Sequence, residues 1–222
     1  MIEKVRCAEK ALEFVEDGMI LGLGSGSTVR EFLKLLAEKA REGTEIVVIP
    51  TSFDTHLMAV ENGIRIADLN EYPEPDLCID GADQIDRDFN LIKGGGGALT
   101  REKVVASASK EFVVIADKSK LVERLNIPVP VEILPFALGF VRKKIEELGF
   151  RLNLRESKGK LRPVISDNGN VIADVDAGGI SDPDGLEKKL RIPGVIENGI
   201  FSAEMVDVVI IGKRDGAAVL RK

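Results

Sequence analysis

The amino-acid sequence predicts an α/β fold: a doubly wound, mostly parallel sheet with a smaller α+β domain attached. Three observations carry this. Short Val/Ile/Leu runs alternate with stretches of helical period as far as residue 117, the pattern of a parallel sheet covered on both faces. Three prolines from Pro128 to Pro135 then break the rhythm. Beyond them, strands joined by a short turn indicate antiparallel pairing.

Residues 2–16 place Ile2, Val5, Ala8, Leu12 and Val15 on one helical face. "MILGLG" (19–24) reads as a strand, and "STVREFLKLLAEKA" (27–40) as a helix with Phe32, Leu33, Leu36 and Ala40 inward. "EIVVIP" (45–50) is a second buried strand, and "SFDTHLMAVENG" (52–63) a helix ended by a glycine. "RIADL" (65–69) and "DLCID" (76–80) are short strands, "ALTREKVVASAS" (98–109) a helix, and "EFVVIAD" (111–117) a buried strand. This order predicts a Rossmann-like sheet.

"NIPVPVEILP" (126–135) reads as an extended connector, since proline cannot continue a helix. A helix (136–148), a strand (150–155), the turn "SDNGN" and a strand (171–176) follow. Asp182 is placed to cap a helix over 182–192 with Pro183 in its first turn. "GVIENGIF" (194–201) is strand-like, and the apolar "MVDVVIIG" (205–212) fits the first sheet. The expected division is a catalytic α/β domain of residues 1–126 plus 204–222, with an α+β domain of residues 127–203 suited to oligomerisation.

Of the 222 residues, 44% are hydrophobic and 31% charged, enough for a sizeable core. A net charge of −6 disfavours nucleic acid as a partner. The two cysteines, Cys7 and Cys78, form neither a disulfide framework nor a metal motif. The charged N-terminal stretch is no signal peptide, and no apolar run approaches ~18 residues, so neither membrane insertion nor export is expected. A cytoplasmic location is the simplest reading.

Four segments carry chemistry. "GLGSGST", Gly22 to Thr28, follows the first strand and opens a helix. Its bare backbone, the helix N-terminus and the hydroxyls of Ser25, Ser27 and Thr28 suit a phosphate. A dinucleotide fingerprint would need glycine where Ser27 stands. "DGAD", Asp80 to Asp83, ends a buried strand, where open α/β sheets bind ligands. Its two carboxylates could move protons or hold a metal, although calcium-loop order is missing. Asp86 and Asp88 read as an acidic surface turn. In "KGGGGALTREK" (93–103), Lys93 and glycine amides can stabilise an oxyanion, and Glu102 near a helix start can act as a general base. In "ADKSK" (116–120), Lys118 and Lys120 could reach a phosphate. His56, Tyr72 and Cys78 carry no functional expectation.

These segments, in this order, resemble ribose-5-phosphate isomerases of the A type. "GLGSGST", "PTSFDT", "DGADQID", "KGGGGALTREK", "IADKSK", "PVPVEILP", "SDNGN" and "IPGVIENGIF" together cover essentially the whole chain. The resemblance implies interconversion of D-ribose 5-phosphate and D-ribulose 5-phosphate through an enediolate, in the non-oxidative pentose phosphate pathway, with no metal or organic cofactor. It matches Glu102 to the proton-abstracting base. Asp80, Asp83 and Lys93 match residues used in ring opening and in handling the hydroxyl protons. Ser25, Gly26, Ser27 and Thr28, then Asp80, Gly81, Ala82 and Asp83, then Lys93, Gly94, Gly95 and Gly96, with Lys120, match the substrate-binding stretches. A homodimer or homotetramer is implied. Two other classes compete. A nicotinamide-dependent dehydrogenase lacks its third glycine and its ribose acid here. A noncatalytic sugar-phosphate sensor would not need the Asp–Asp–Lys–Glu set.

Overall fold

The computed structural model describes residues 1–222 apart from 158, 160 and 162. The chain runs α1 (Ile2–Leu12), β1 (Ile20–Leu23), α2 (Ser27–Arg41), β2 (Val47–Pro50), α3 (Phe53–Glu61), β3 (Arg65–Ile66), β4 (Leu77–Asp80), β5 (Gln84–Ile85), β6 (Leu91–Ile92), α4 (Leu99–Ala108) and β7 (Phe112–Asp117). It continues through β8 (Val129–Ile133), α5 (Leu138–Glu147), β9 (Arg151–Leu154), β10 (Val171–Asp176), α6 (Pro183–Leu190), β11 (Val195–Asn198), β12 (Ile200–Phe201), β13 (Val208–Lys213) and β14 (Gly216–Arg221). Two compact units result, one of residues 1–82, 101–121 and 204–222, the other of 83–100 and 122–203.

The first unit holds a seven-stranded sheet in the order β14-β13-β7-β4-β1-β2-β3. All its neighbours pair in parallel except β13 with β14. β1, β4, β7 and β13 are almost entirely buried, which is why they read as unbroken apolar runs. After β1 the chain moves outward to β2 and β3, then returns to place β4 on the other side of β1. Such a reversal opens a crevice at the carboxyl ends of the two central strands, where Gly24 and Asp80 lie. One core joins Phe32, Leu33 and Leu36 of α2 to Cys7, Ala8 and Ala11 of α1 and to the strands.

The second unit holds a four-stranded sheet, β11-β8-β10-β9, and a three-stranded one, β12-β6-β5. Its core gathers Val129, Val131 and Ile133 of β8 with Val141 and Ile145 of α5 and Leu186 and Leu190 of α6. The predicted Asp182 cap forms, accepting the Gly185 N–H at 2.9 Å; in the first unit Ser52 caps α3 as well, accepting the Thr55 N–H at 3.1 Å.

Several expectations change. The first helix stops at Leu12, because the next turns close through i to i−3 bonds from Glu13, Phe14 and Val15. The proline-rich "connector" is β8, a central strand. Pro130 is tolerated because β11 pairs with β8 only from Val131 onward, so its missing N–H leaves no gap on that side. "GVIENGIF" is two strands broken at Gly199, and β14 and the β5–β6 hairpin are additional. Residues 83–100 and 122–126 fall in the second unit, because β6 pairs with β12 there and Val122 bonds to Ile85. Asp86 is not a surface residue. It is buried, closing the hairpin by accepting from the Asn90 N–H at 2.8 Å, the Asp88 N–H at 3.0 Å and Asn90 Nδ2 at 3.0 Å. Asp88 is exposed as expected.

Candidate functional site

In the first unit the chemistry collects at the carboxyl ends of β1 and β4. Asp80, the last residue of β4, is fully buried. Its Oδ1 accepts the Gly81 N–H at 2.6 Å and the Ser25 N–H at 3.2 Å. The loop after β1 comes so close that a Cβ on Gly24 would stand 1.8 Å from Asp80 Oδ1. Glycine is therefore the only residue that fits there beside a carboxylate. The Ser25 hydroxyl donates to Glu102 Oε1 at 2.7 Å. One serine thus touches both carboxylates, with its backbone on Asp80 and its side chain on Glu102. Glu102 is in the first turn of α4 and buried.

The same loop is held from β2. Thr51, buried at the end of that strand, donates its N–H to Leu23 O at 3.0 Å, and Thr55 Oγ1 donates to Gly24 O at 2.7 Å. This accounts for the "PTSFDT" stretch as support for the loop.

Beyond Ser25 the loop becomes accessible. Gly26 and Ser27 are exposed and Thr28 half-buried, and α2 starts at Ser27 with no side-chain cap on its first amides. Those amides can meet an anion. Lys4 Nζ of α1 donates to Ser27 Oγ at 2.8 Å. Nothing in the sequence singled Lys4 out. Its neighbour Asp117 locates Lys120 as well. Burial pushes the Asp117 carboxyl up, but hydrogen bonds from Ser119 and the charges of Lys4 and Lys120 outweigh it and hold the group below its usual range. Lys4 thus meets the start of α2, and Lys120, in the turn after β7, lies within electrostatic reach of the same Asp117. Lys118 is exposed, and no contact ties it to this cluster.

In the second unit, Asp83, Lys93 and the glycine run assemble around the β5–β6 hairpin. Asp83 donates its N–H to Ile92 O at 2.8 Å, and its Oδ2 accepts the Gly95 N–H at 2.7 Å. A Cβ on Gly95 would lie 2.7 Å from Asp83 Oδ1, so the run has a use for bare backbone at this position. Lys93, 3% exposed, carries its ammonium 5.4 Å from the centre of the Phe201 ring, a cation–π contact. Gly95 and Gly96 are exposed, with their backbone accessible to a ligand. His56 stacks on Phe53 and takes no part in this chemistry. Among the described residues, no group of three His, Cys, Asp or Glu side chains is arranged to hold a metal ion.

The first unit offers two buried carboxylates at neighbouring strand and helix ends and a helix N-terminus open to an anion; the second, by itself, offers a carboxylate, a lysine and glycine amides. These groups suit proton transfer on a small phosphorylated substrate. The family profile described as Ribose 5-phosphate isomerase A (phosphoriboisomerase A) matches residues 47–216. Ribose-5-phosphate isomerase A of Archaeoglobus fulgidus is 56% identical over 221 residues, covering 98% of each chain. That of Methanothermobacter thermautotrophicus is 46% identical over 221 residues, covering 98% of this chain and 97% of its own. Among solved structures, ribose 5-phosphate isomerase A of Methanocaldococcus jannaschii superposes with a TM-score of 0.94 at 42% identity, covering 99% of this chain and 98% of the other. A D-ribose-5-phosphate isomerase in complex with phospho-erythronic acid gives 0.95 at 43% identity, with the same coverage.

Proposed function

The chain belongs to the ribose 5-phosphate isomerase A family and interconverts D-ribose 5-phosphate and D-ribulose 5-phosphate; from that premise we propose that Glu102 is the base that moves the proton between C2 and C1. The observation carrying this is the hydrogen bond from Ser25 to Glu102, which fixes one carboxylate oxygen in a buried site beside Asp80. A positioned carboxylate of this kind contributes about 10²–10⁴-fold to proton transfer. Asp80 and Asp83 handle the ring and hydroxyl protons, so that the sugar opens before C2 is deprotonated. Lys93 and the Gly96 amide take the negative charge that grows on the enediolate oxygens, while Gly94 and Gly95 bring bare backbone up to the substrate. Gly81 and Ala82 line the substrate through their backbone.

The phosphate is held by the backbone of Ser25, Gly26, Ser27 and Thr28 and the hydroxyls of Ser27 and Thr28, together with Lys120. Lys4, which already reaches Ser27, joins them. A dianion binds a chain of net charge −6 only where donors are focused in this way. The relative bound to phospho-erythronic acid carries a phosphorylated acyclic acid of similar size, which supports a site for an open-chain sugar phosphate. The reaction needs neither a metal nor an organic cofactor.

The second unit serves self-association into a homodimer or homotetramer. Phe136, 96% exposed, with Phe140, Leu134 and Ile196 gives it apolar side chains in need of cover. No helix is long and apolar enough to cross a membrane, and the acidic surface fits a cytoplasmic enzyme without nucleic acid partners.

Glu102→Gln tests the central assignment. It keeps the shape and the bond to Ser25 but cannot accept a proton. Turnover of ribose 5-phosphate should fall at least ~10²-fold with the fold retained, and extensive chelation should leave the unmodified enzyme active. Near-normal turnover in a folded Glu102→Gln protein would move the base to Asp80 or Asp83.

A further inference from the structure

We propose that Arg155, held by Asp174, is a positioning residue that orients the Asp83 carboxylate through the single peptide group joining Gly94 and Gly95. The inference rests on the reading of Asp83 as an acid/base residue. Both ends of that peptide group are engaged. Its carbonyl, Gly94 O, accepts Arg155 Nη1 at 2.7 Å, and its N–H, on Gly95, donates to Asp83 Oδ2 at 2.7 Å. Arg155 Nη1 also reaches Gly95 O at 3.0 Å, so the next peptide is fixed as well.

The guanidinium is itself immobile. Arg155 directly follows β9, and its N–H donates to Ile172 O on the neighbouring β10 at 3.1 Å. Its Nε donates to Asp174 Oδ2 at 3.0 Å, and its Nη2 donates to Asp174 Oδ1. This two-point grip needs the planar fork of arginine, which lysine lacks. The pair is mostly buried, with side-chain exposures of 18% and 25%.

A run of four glycines has no side chains to fix its peptide planes, and turning a Gly–Gly peptide over costs little. Without an outside hold, the Gly95 N–H would not stay aimed at Asp83. The clamp supplies that hold and also polarises the peptide. A cation on the carbonyl oxygen strengthens donation from the N–H of the same amide, as in chains of hydrogen bonds. With Oδ2 engaged, the plane of the carboxylate is set, and so is the direction in which Oδ1 presents its lone pairs to a sugar hydroxyl.

The test combines kinetics with a spectroscopic readout on the full chain. Arg155→Gln should lower kcat about 10²-fold, the cost of misplacing a reacting group, while KM for ribose 5-phosphate stays within about twofold. Arg155→Lys should recover only part of the loss. Asp83→Asn should lower kcat by itself, and adding Arg155→Gln to it should lower kcat no further, because a residue acting through Asp83 has nothing left to orient. In protein labelled with ¹⁵N-glycine, the Gly95 amide proton should resonate far downfield and move upfield in Arg155→Gln. Should that variant fail to fold, Asp174→Asn, which loosens the guanidinium without removing it, should give the same upfield shift and a smaller loss of kcat. Losses that multiply in the double variant, an unmoved Gly95 amide, or full activity in folded Arg155→Gln would each overturn the proposal. Wild-type turnover in Asp83→Asn would instead remove the acid/base reading of Asp83, leaving the amide shift to decide whether the clamp exists.

Discussion

The Ser25 hydroxyl and the Glu102 carboxylate meet at 2.7 Å although 77 residues separate them. The bond makes Ser25 more than a phosphate donor. Ser25→Ala removes it while keeping the backbone N–H that serves Asp80. A hydrogen bond to a charged group contributes about 1.5–3 kcal/mol, so kcat should fall roughly tenfold or more with KM little changed. Steady-state kinetics on ribose 5-phosphate check this. A rise in KM at constant kcat would return Ser25 to substrate binding alone.

Lys4 reaches Ser27 at the start of α2, and Lys4 and Lys120 both act on Asp117. Lys4→Ala and Lys120→Ala should each raise KM, by about tenfold for the loss of one charge-assisted contact to phosphate, and leave kcat near normal. Ribose without its phosphate should react equally slowly with both variants and with wild type. Unequal rates on ribose would mean that a lysine acts on the sugar rather than on the phosphate.

The glycine run is not uniformly required. A methyl group on Gly95 would press on Asp83, whereas at Gly96 it meets nothing within 4 Å. Gly95→Ala should destabilise the protein by about 1–3 kcal/mol, as overpacking does, and abolish most activity. Gly96→Ala should melt like wild type. Thermal unfolding followed by circular dichroism separates them, and equal melting temperatures for the two would contradict the packing described.

Asp76 sets an acid-side dependence of stability. It accepts the Ile20 N–H at 2.9 Å and Lys110 Nζ at 2.7 Å. The backbone N–H first, and then the lysine, hold its carboxyl below the usual range. A carboxyl depressed in the folded state stabilises above its unfolded value of about 3.9. That contribution is lost as pH falls through the folded value. Asp76→Asn should therefore be less stable at pH 7 by about 1 kcal/mol, a figure kept low because solvent reaches the pair. The gap to wild type should shrink progressively as the pH drops below about 4. Urea unfolding at pH 7 and pH 3 measures it, and an undiminished gap at pH 3 would rule out the carboxylate charge as the cause.

The legible part of the fold was the part with a strong local signal. β1, β2, β4, β7 and β13 are buried apolar runs, and Asp182 announces its helix through capping chemistry. The two-residue strands β5 and β6 have no period to detect. β14 is half-exposed and alanine-rich, so it carries no strand pattern. Pro130 argues against a strand because the end of β11 pairing that spares its missing N–H belongs to a partner more than 60 residues away. The site divides in the same way. Asp80, Asp83, Lys93 and Glu102 stood out as one short segment rich in charge and glycine. Lys4 did not, since it is one charged residue among many on α1, and only the tertiary fold carries it to Ser27.

The interleaving of the chain has a consequence for biosynthesis. The first unit is assembled from three separate stretches of sequence, and β13 lies inside its sheet, between β7 and β14. α1, which precedes the rest of the first unit in sequence, packs against β13, where Gly212 lies so close that a Cβ would strike the Glu3 carbonyl. The nascent α1 can meet α2 early, but its face toward β13 stays uncovered until roughly two hundred further residues have been translated, a separation that slows the pairing. Until then β7 presents an open edge, the feature that invites association with other chains. The second unit interrupts the first only between residues 83–100 and 122–203, so its elements are complete before β13 emerges. Vectorial synthesis therefore favours the second unit closing first, with the sheet that carries Asp80 and Ser25 sealed last.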